Sequence, residues 1–302
     1  MSNFNIDGWV DIPESVDEIE ENEPFGSFGS SSNPILGSGK GKRSFLWKSF
    51  EKIGLKYPVI NQGGVGSCVA ASAAGAVNLL KSVEIADGEE EEYRADTSIE
   101  PLYHGSRIII GGGRIRGDGS LCSWVAKFMK DYGTLTMEKH GKIDLTFYSP
   151  DRCRKWGRNS GYPKTLISLS KEHPVLSIHR VKSWGECIDA LYNRMPIIVG
   201  SRYGYSNSTD RDNFSRQNTS WSHAMLIAGF DDSVRRKYGV IVNSWGSRWI
   251  RQNGKKGEIP LGSFKSDAEN IHKMCANGDA WAISKFSGYP AEPKNVDTHI
   301  EW

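Results

Sequence analysis

Cys68 is the residue of this chain best placed for chemistry. It opens the run CVAASAAGAVNLLKS (68–82), whose Ala and Leu content predicts a helix starting after the turn Gly64-Val65-Gly66-Ser67. A helix N-terminus offers unpaired N–H groups and positive potential, and both favour thiolate over thiol. Such a cysteine suits attack on a carbonyl carbon; the alternative is a small buried apolar residue. Nucleophilic catalysis further needs a base, an orienter for the base and donors for an oxyanion. His223 opens an apolar run (HAMLIAGF), and Asn243 closes another (YGVIVN) just before Trp245 and Trp249. Each of these could equally be a core or turn residue. The other histidines (His104, His140, His173, His179, His272 and His299) lack metal-ligand spacing. Cys122, Cys153, Cys187 and Cys275 read as free structural thiols rather than zinc ligands. Neither a metal nor an organic cofactor is expected. The segment GSGKGKRS (37–44) lacks the spacing of a phosphate loop, and Gly111-Gly112-Gly113 lacks the dinucleotide fingerprint.

The 302 residues allow one large domain or two lobes. Hydrophobic residues make up 38%, enough for a core, and the net charge of +2 argues against a nucleic-acid or membrane-surface binder. No apolar run approaches the ~20 residues of a membrane span. The opening MSNFNIDGWVDIPESVDE has neither a basic start nor an apolar stretch, so no secretory signal is expected. Five cysteines do not make a disulfide framework. A reducing location, cytoplasmic or particle-associated, is therefore expected.

Residues 1–39 hold eight acids and no Lys or Arg, so the remainder carries +10. Phe25–Lys42 is rich in Gly and Ser. Together they predict a flexible acidic arm and linker (1–43), with docking on a partner protein or on the body as the alternative. DGEEEE (87–92) reads as a solvated loop. Further helices are expected at Ser120–Tyr132 and Trp184–Arg194, and strands at Pro196–Gly200, His223–Phe230 and Tyr238–Asn243, the last two joined by a hairpin loop at Asp231–Lys237. Helices lead and strands follow, which predicts an α+β fold.

The segment Tyr57–Ser72 (YPVINQGGVGSCVAAS) resembles the papain and cathepsin family of cysteine peptidases, as do SHAMLIAGFDD (222–232) and VNSWGSRWI (242–250). Three blocks in the family's order, within a resemblance running from about Trp47 to Tyr289, imply a two-lobed fold. A helical lobe (44–165) would bear the nucleophile and a β-barrel-like lobe (166–290) the base, with the cleft between them; 291–302 would be a tail. The resemblance implies Cys68 as nucleophile, His223 as base, Asn243 as orienter, Trp245 as its cover, and Gln62 with the Cys68 N–H as oxyanion donors. It places Gly66, Gly119, Ser120, Leu121, Trp221, Ala224 and Trp245 at the substrate, a peptide or protein. An apolar preference two residues before the scissile bond is expected, with Trp221 narrowing the pocket.

Departures from the family are specific. Val69 replaces an aromatic residue, and Val65 replaces a cysteine that would form a disulfide. The arm shows no prosegment-like helix pattern, so latency by that route is not expected. A structural or binding protein on the same scaffold and a thiol acyltransferase are the rival readings. Three Asn-x-Ser/Thr sequons (Asn207, Asn213 and Asn218) read as chance.

Overall fold

A computed structural model describes residues 8–23, 36–89 and 92–287. The expected C-terminal tail, 291–302, lies outside the described residues. The helical part is built on α3 (Cys68–Ala86), with α2 (Lys48–Lys52), α4 (Ile99–His104), a π turn (Gly105–Ile110), α5 (Cys122–Tyr132), α6 (Pro150–Gly157) and α7 (Thr165–Ser170) around it. Helix α3 is buried on nearly every face, as its Ala-rich run requires. By length and composition it could cross a membrane, but here it is the core helix. Gly75 lets it lie close to the sheet: a Cβ there would come 3.1 Å from Leu226.

The second part is antiparallel. Strands β4 (Val175–Arg180), β5 (Ile197–Thr209), β6 (Ser215–Asp231), β7 (Tyr238–Val242), β8 (Ser263–Asp267) and β9 (Asp279–Phe286) run in the order β4-β9-β5-β6-β7-β8. Helices α8 (Trp184–Tyr192) and α9 (Ala268–Asn277) pack on this sheet. A small hairpin, β2 (Lys139–His140) with β3 (Ile143–Asp144), stands apart. The α+β two-lobed fold is therefore present. The lobes interlace: β1 (Arg43–Phe45), at the start of the helical span, pairs with β6 from Asp231 to Gly229.

The described part of the arm takes the alternative, docking on the body, rather than the flexible form. Residues 8–23 fold onto the body, and Pro13–Asn22 forms α1, begun by Pro13 at the first helical position. Val16 and Ile19, three apart, share its buried face. The acids meet bases of the body: Asp11 pairs with Arg202 at 3.1 Å, Glu20 with Lys182 at 2.5 Å, and Glu23 with Lys127 at 3.4 Å and with Lys130. The Gly-rich segment is also held. Gly37 and Gly39 N–H donate to Asp189, and Gly41 N–H donates to Asp232. Its backbone donors thus cradle carboxylates of the same chain, as a phosphate loop would cradle phosphate.

Candidate active site

Cys68 begins α3 directly after Ser67, which makes no side-chain cap. Ser67 is instead tied to Tyr148: the two hydroxyls lie 3.0 Å apart, and Tyr148 donates onward to Gln62 O at 2.8 Å. Burial pushes the Tyr148 phenol well up, so it remains a donor. Gln62 is anchored from three sides. Its N–H donates to Ser244 O (2.8 Å), its Oε1 accepts from Ser244 Oγ (2.5 Å), and its Nε2 donates to Val65 O (3.0 Å). An amide nitrogen carries two protons, so Nε2 has a second N–H to give.

Strand β6 brings in the base. His223 Nε2 lies 2.8 Å from Asn243 Oδ1, which also accepts from Ser244 N–H at 2.7 Å. Asn243 follows β7 directly, so two adjacent strands fix this bond. Ala224 N–H, one residue beyond His223, points at Cys68 Sγ at 3.3 Å. The structure thus brings Cys68, His223, Asn243 and Gln62 together. Trp245 lies over the imidazole with centroids 4.4 Å apart; Trp221 packs on Trp245 at 4.9 Å, and Trp249 meets it edge-on at 5.4 Å. Excluding water there strengthens the His223–Asn243 bond.

The arm crosses this site. Gly8 and Trp9 N–H both donate to Ser222 O (2.9 and 3.1 Å). Ser120 N–H donates to Gly8 O (2.9 Å), and Val10 N–H donates to Ser120 O (3.0 Å), a parallel pairing centred on Trp9. A Cβ on Gly8 would lie 2.8 Å from Cys68 Sγ and 2.7 Å from Gly66 O. Cys68 is 0% exposed and His223 1% exposed beneath this cover.

Of the expected substrate residues, Gly66, Gly119 and Ser120 lie against residues 8–10, while Ala224 faces Cys68 Sγ. Gly119 adopts φ +108°, and a Cβ there would meet Val10 and Gly8 O. Leu121 is fully buried, and Trp221 stands with Trp245 and Trp249 beside His223. The indole of Trp9 instead lies on Gly200, where a Cβ would come 2.2 Å from the ring, and donates to Asp279 Oδ2 at 3.3 Å. Asp279 also accepts from Cys122 N–H (2.6 Å) and Ser123 N–H (3.1 Å) at the start of α5, and from Trp281 Nε1 (2.7 Å). Burial raises its pKa, opposed by Arg180 and these donors. Gly200, Asp279 and Trp9 lie outside the three blocks, so nothing in the sequence tied them to the site; an aromatic among the arm's acids was the one visible hint. Among the described residues no group of three or more His, Cys, Asp or Glu could hold a metal ion.

No family model matches the sequence. Among curated proteins, mouse cathepsin K is 25% identical over 233 residues, 75% of this chain and 62% of the relative. Mouse pro-cathepsin H is 23% identical over 236 residues, 75% of this chain and 63% of the relative. The chain thus spans less than two thirds of the length of these relatives. Among solved structures, xylellain, a cysteine protease from Xylella fastidiosa, superposes with TM-score 0.55 at 18% identity, covering 94% of this chain and 96% of that one. Procathepsin B S9 from Trypanosoma congolense gives TM-score 0.53 at 13% identity, covering 95% and 86%. At these identities the superpositions speak for the fold. The chain is papain-like in fold and related in sequence to the cathepsins.

Proposed function

We propose that the protein hydrolyses peptide bonds with Cys68 as nucleophile, His223 as acid and base, and Asn243 as orienter. The carrying observation is the His223 Nε2–Asn243 Oδ1 bond, with the next residue's N–H on Cys68 Sγ. The thiol proton passes to His223, and the thiolate attacks the scissile carbonyl carbon. The oxyanion accepts from the Cys68 N–H and Gln62 Nε2. His223 returns the proton to the leaving amine, and water then cleaves the thioester. Asn243 needs no charge, because the thiolate–imidazolium pair already balances itself.

Residues 8–10 occupy the peptide's place, so hydrolysis requires the arm to leave. The Trp9 position adds to the expected apolar preference: beside Asp279 the pocket would also suit a large side chain bearing a hydrogen-bond donor. The closed cleft lends weight to a second reading, a binding scaffold whose site is permanently filled by its own arm. A peptide ending in a thiol-reactive electrophile separates the two. A peptidase gives one covalent adduct at Cys68, lost in Cys68→Ala together with hydrolysis; a closed scaffold gives none.

A further inference from the structure

The edge that receives the arm is held in an unusual way. Arg107, on the π turn, is buried, and among the described residues it has no acidic partner within ion-pair distance. Its guanidinium donates to main-chain carbonyls only. Nε reaches Gly157 O at 2.8 Å; Nη2 reaches Ile115 O at 3.1 Å and Gly117 O at 2.6 Å; Nη1 reaches Gly119 O. A buried cation without a counter-charge is costly unless its donors are fully used. The loop bends through 116–118 and Gly119 has φ +108°, so this is not regular strand, and the carbonyls of 115, 117 and 119 converge on the guanidinium. The next carbonyl along, Ser120 O, is left to accept from Val10 N–H. Two neighbours of Arg107 complete the grip: Tyr103 Oη accepts from Gly119 N–H at 3.0 Å, and Ser120 Oγ donates to Ser106 Oγ at 2.9 Å. The bridging cysteine that the family resemblance implies at position 65 is Val65, and all five cysteines are free.

We propose that Arg107 is a positioning residue for peptide binding: by gathering the carbonyls of Ile115, Gly117 and Gly119 it fixes the Gly119–Ser120 edge against which a peptide backbone pairs in the cleft. This rests on the peptidase reading only in taking the arm's pairing with Ser120 as the pattern for substrate. A planar fork with five donors can serve several carbonyls at once, whereas a lysine ammonium cannot match that geometry. Arg107 touches neither Cys68 nor His223 by any bond described above, so the intrinsic reactivity of the thiol should not depend on it.

The test uses the full chain carrying Gly8→Ala, which displaces the arm, with and without Arg107→Lys. Two reagents are compared at Cys68: iodoacetamide, which needs no backbone pairing, and a peptidyl vinyl sulfone, which does. Arg107→Lys should slow the peptidyl reagent by about tenfold and leave iodoacetamide unchanged. Equal peptidyl rates, or both rates falling together, would overturn the proposal. Ser106→Ala, a milder change at the same edge, should show the same selective pattern if Arg107→Lys does not fold, and its absence there would count equally against it. If neither reagent modifies Cys68 in the parent, the peptidase reading fails on its own. Hydrogen exchange at the Ser120 and Val10 amides of the otherwise unchanged chain then decides the positioning role: faster with Arg107→Lys supports it, and unaltered refutes it.

Discussion

Gly8 lies against Cys68 so closely that a single added carbon would stand 2.8 Å from the sulfur. Only a residue without a side chain passes there, because the same carbon would also stand 2.7 Å from Gly66 O. The position is a built-in lever. Gly8→Ala should lift residues 8–10 from the cleft and raise the rate at which a peptidyl electrophile modifies Cys68, with the cooperative thermal transition retained. Mass spectrometry of the adduct over time measures this; an unchanged rate would show that the arm does not govern access.

Trp9 should act as the arm's anchor. Its indole is buried on Gly200 and bonded to Asp279, and truncating a buried Trp costs roughly 3–5 kcal/mol. Trp9→Ala should therefore open the cleft as Gly8→Ala does. Trp9→Phe should give an intermediate rate, since it keeps much of the buried area and loses the N–H bond. Helix α1 keeps its own ion pairs through Glu20 and Glu23, so limited proteolysis near residue 9 should increase before cleavage within 13–22.

Gln62 carries two duties. Gln62→Ala removes the proposed oxyanion donor, and losing one such donor lowers kcat by about 10²–10³. It also strands the buried Ser244 hydroxyl, so the melting temperature should fall as well. Ser244→Ala removes that hydroxyl and leaves the Nε2 bond to Val65 O in place, which separates the two effects: stability falls while kcat is largely kept.

The three blocks that suggested this site are local. Short-range pattern puts Cys68 at a helix start and His223 and Asn243 on strand runs, and the blocks' resemblance to the family is what joins them into a site. The arm was not legible that way. Its acids read as solvated until Lys127, Lys130 and Lys182 supply partners more than a hundred residues away. Gly37–Gly41 likewise reads as a linker until Asp189 and Asp232 accept its amides. Asp279 begins a strand that carries no motif, and its place beneath Trp9 follows from β9 pairing with β5 at Gly200. Long-range pairing is what short patterns cannot carry.

His104 sets one pH dependence. Burial lowers its pKa from 6.5, partly offset by the Trp156 carbonyl that faces Nδ1 at 2.9 Å. Its ring is stacked on Tyr162 at 3.7 Å. The unfolded chain takes up a proton near 6.5 and the folded chain only at lower pH. The contribution is thus complete above 6.5 and is lost as pH falls towards the lower folded value. Melting temperature followed from pH 7.5 downward should decline through this window, and His104→Phe, which keeps the stacking, should flatten that part of the curve.

The most direct measurement concerns the Cys68–His223 pair. In the Gly8→Ala chain, the rate of Cys68 alkylation by iodoacetamide is followed from pH 4 to 10, with and without His223→Ala. The account predicts a reactive thiolate already present well below the usual thiol range near 8.5, and loss of that low-pH reactivity when His223 is removed. A profile rising only near 8.5 and indifferent to His223 would contradict it.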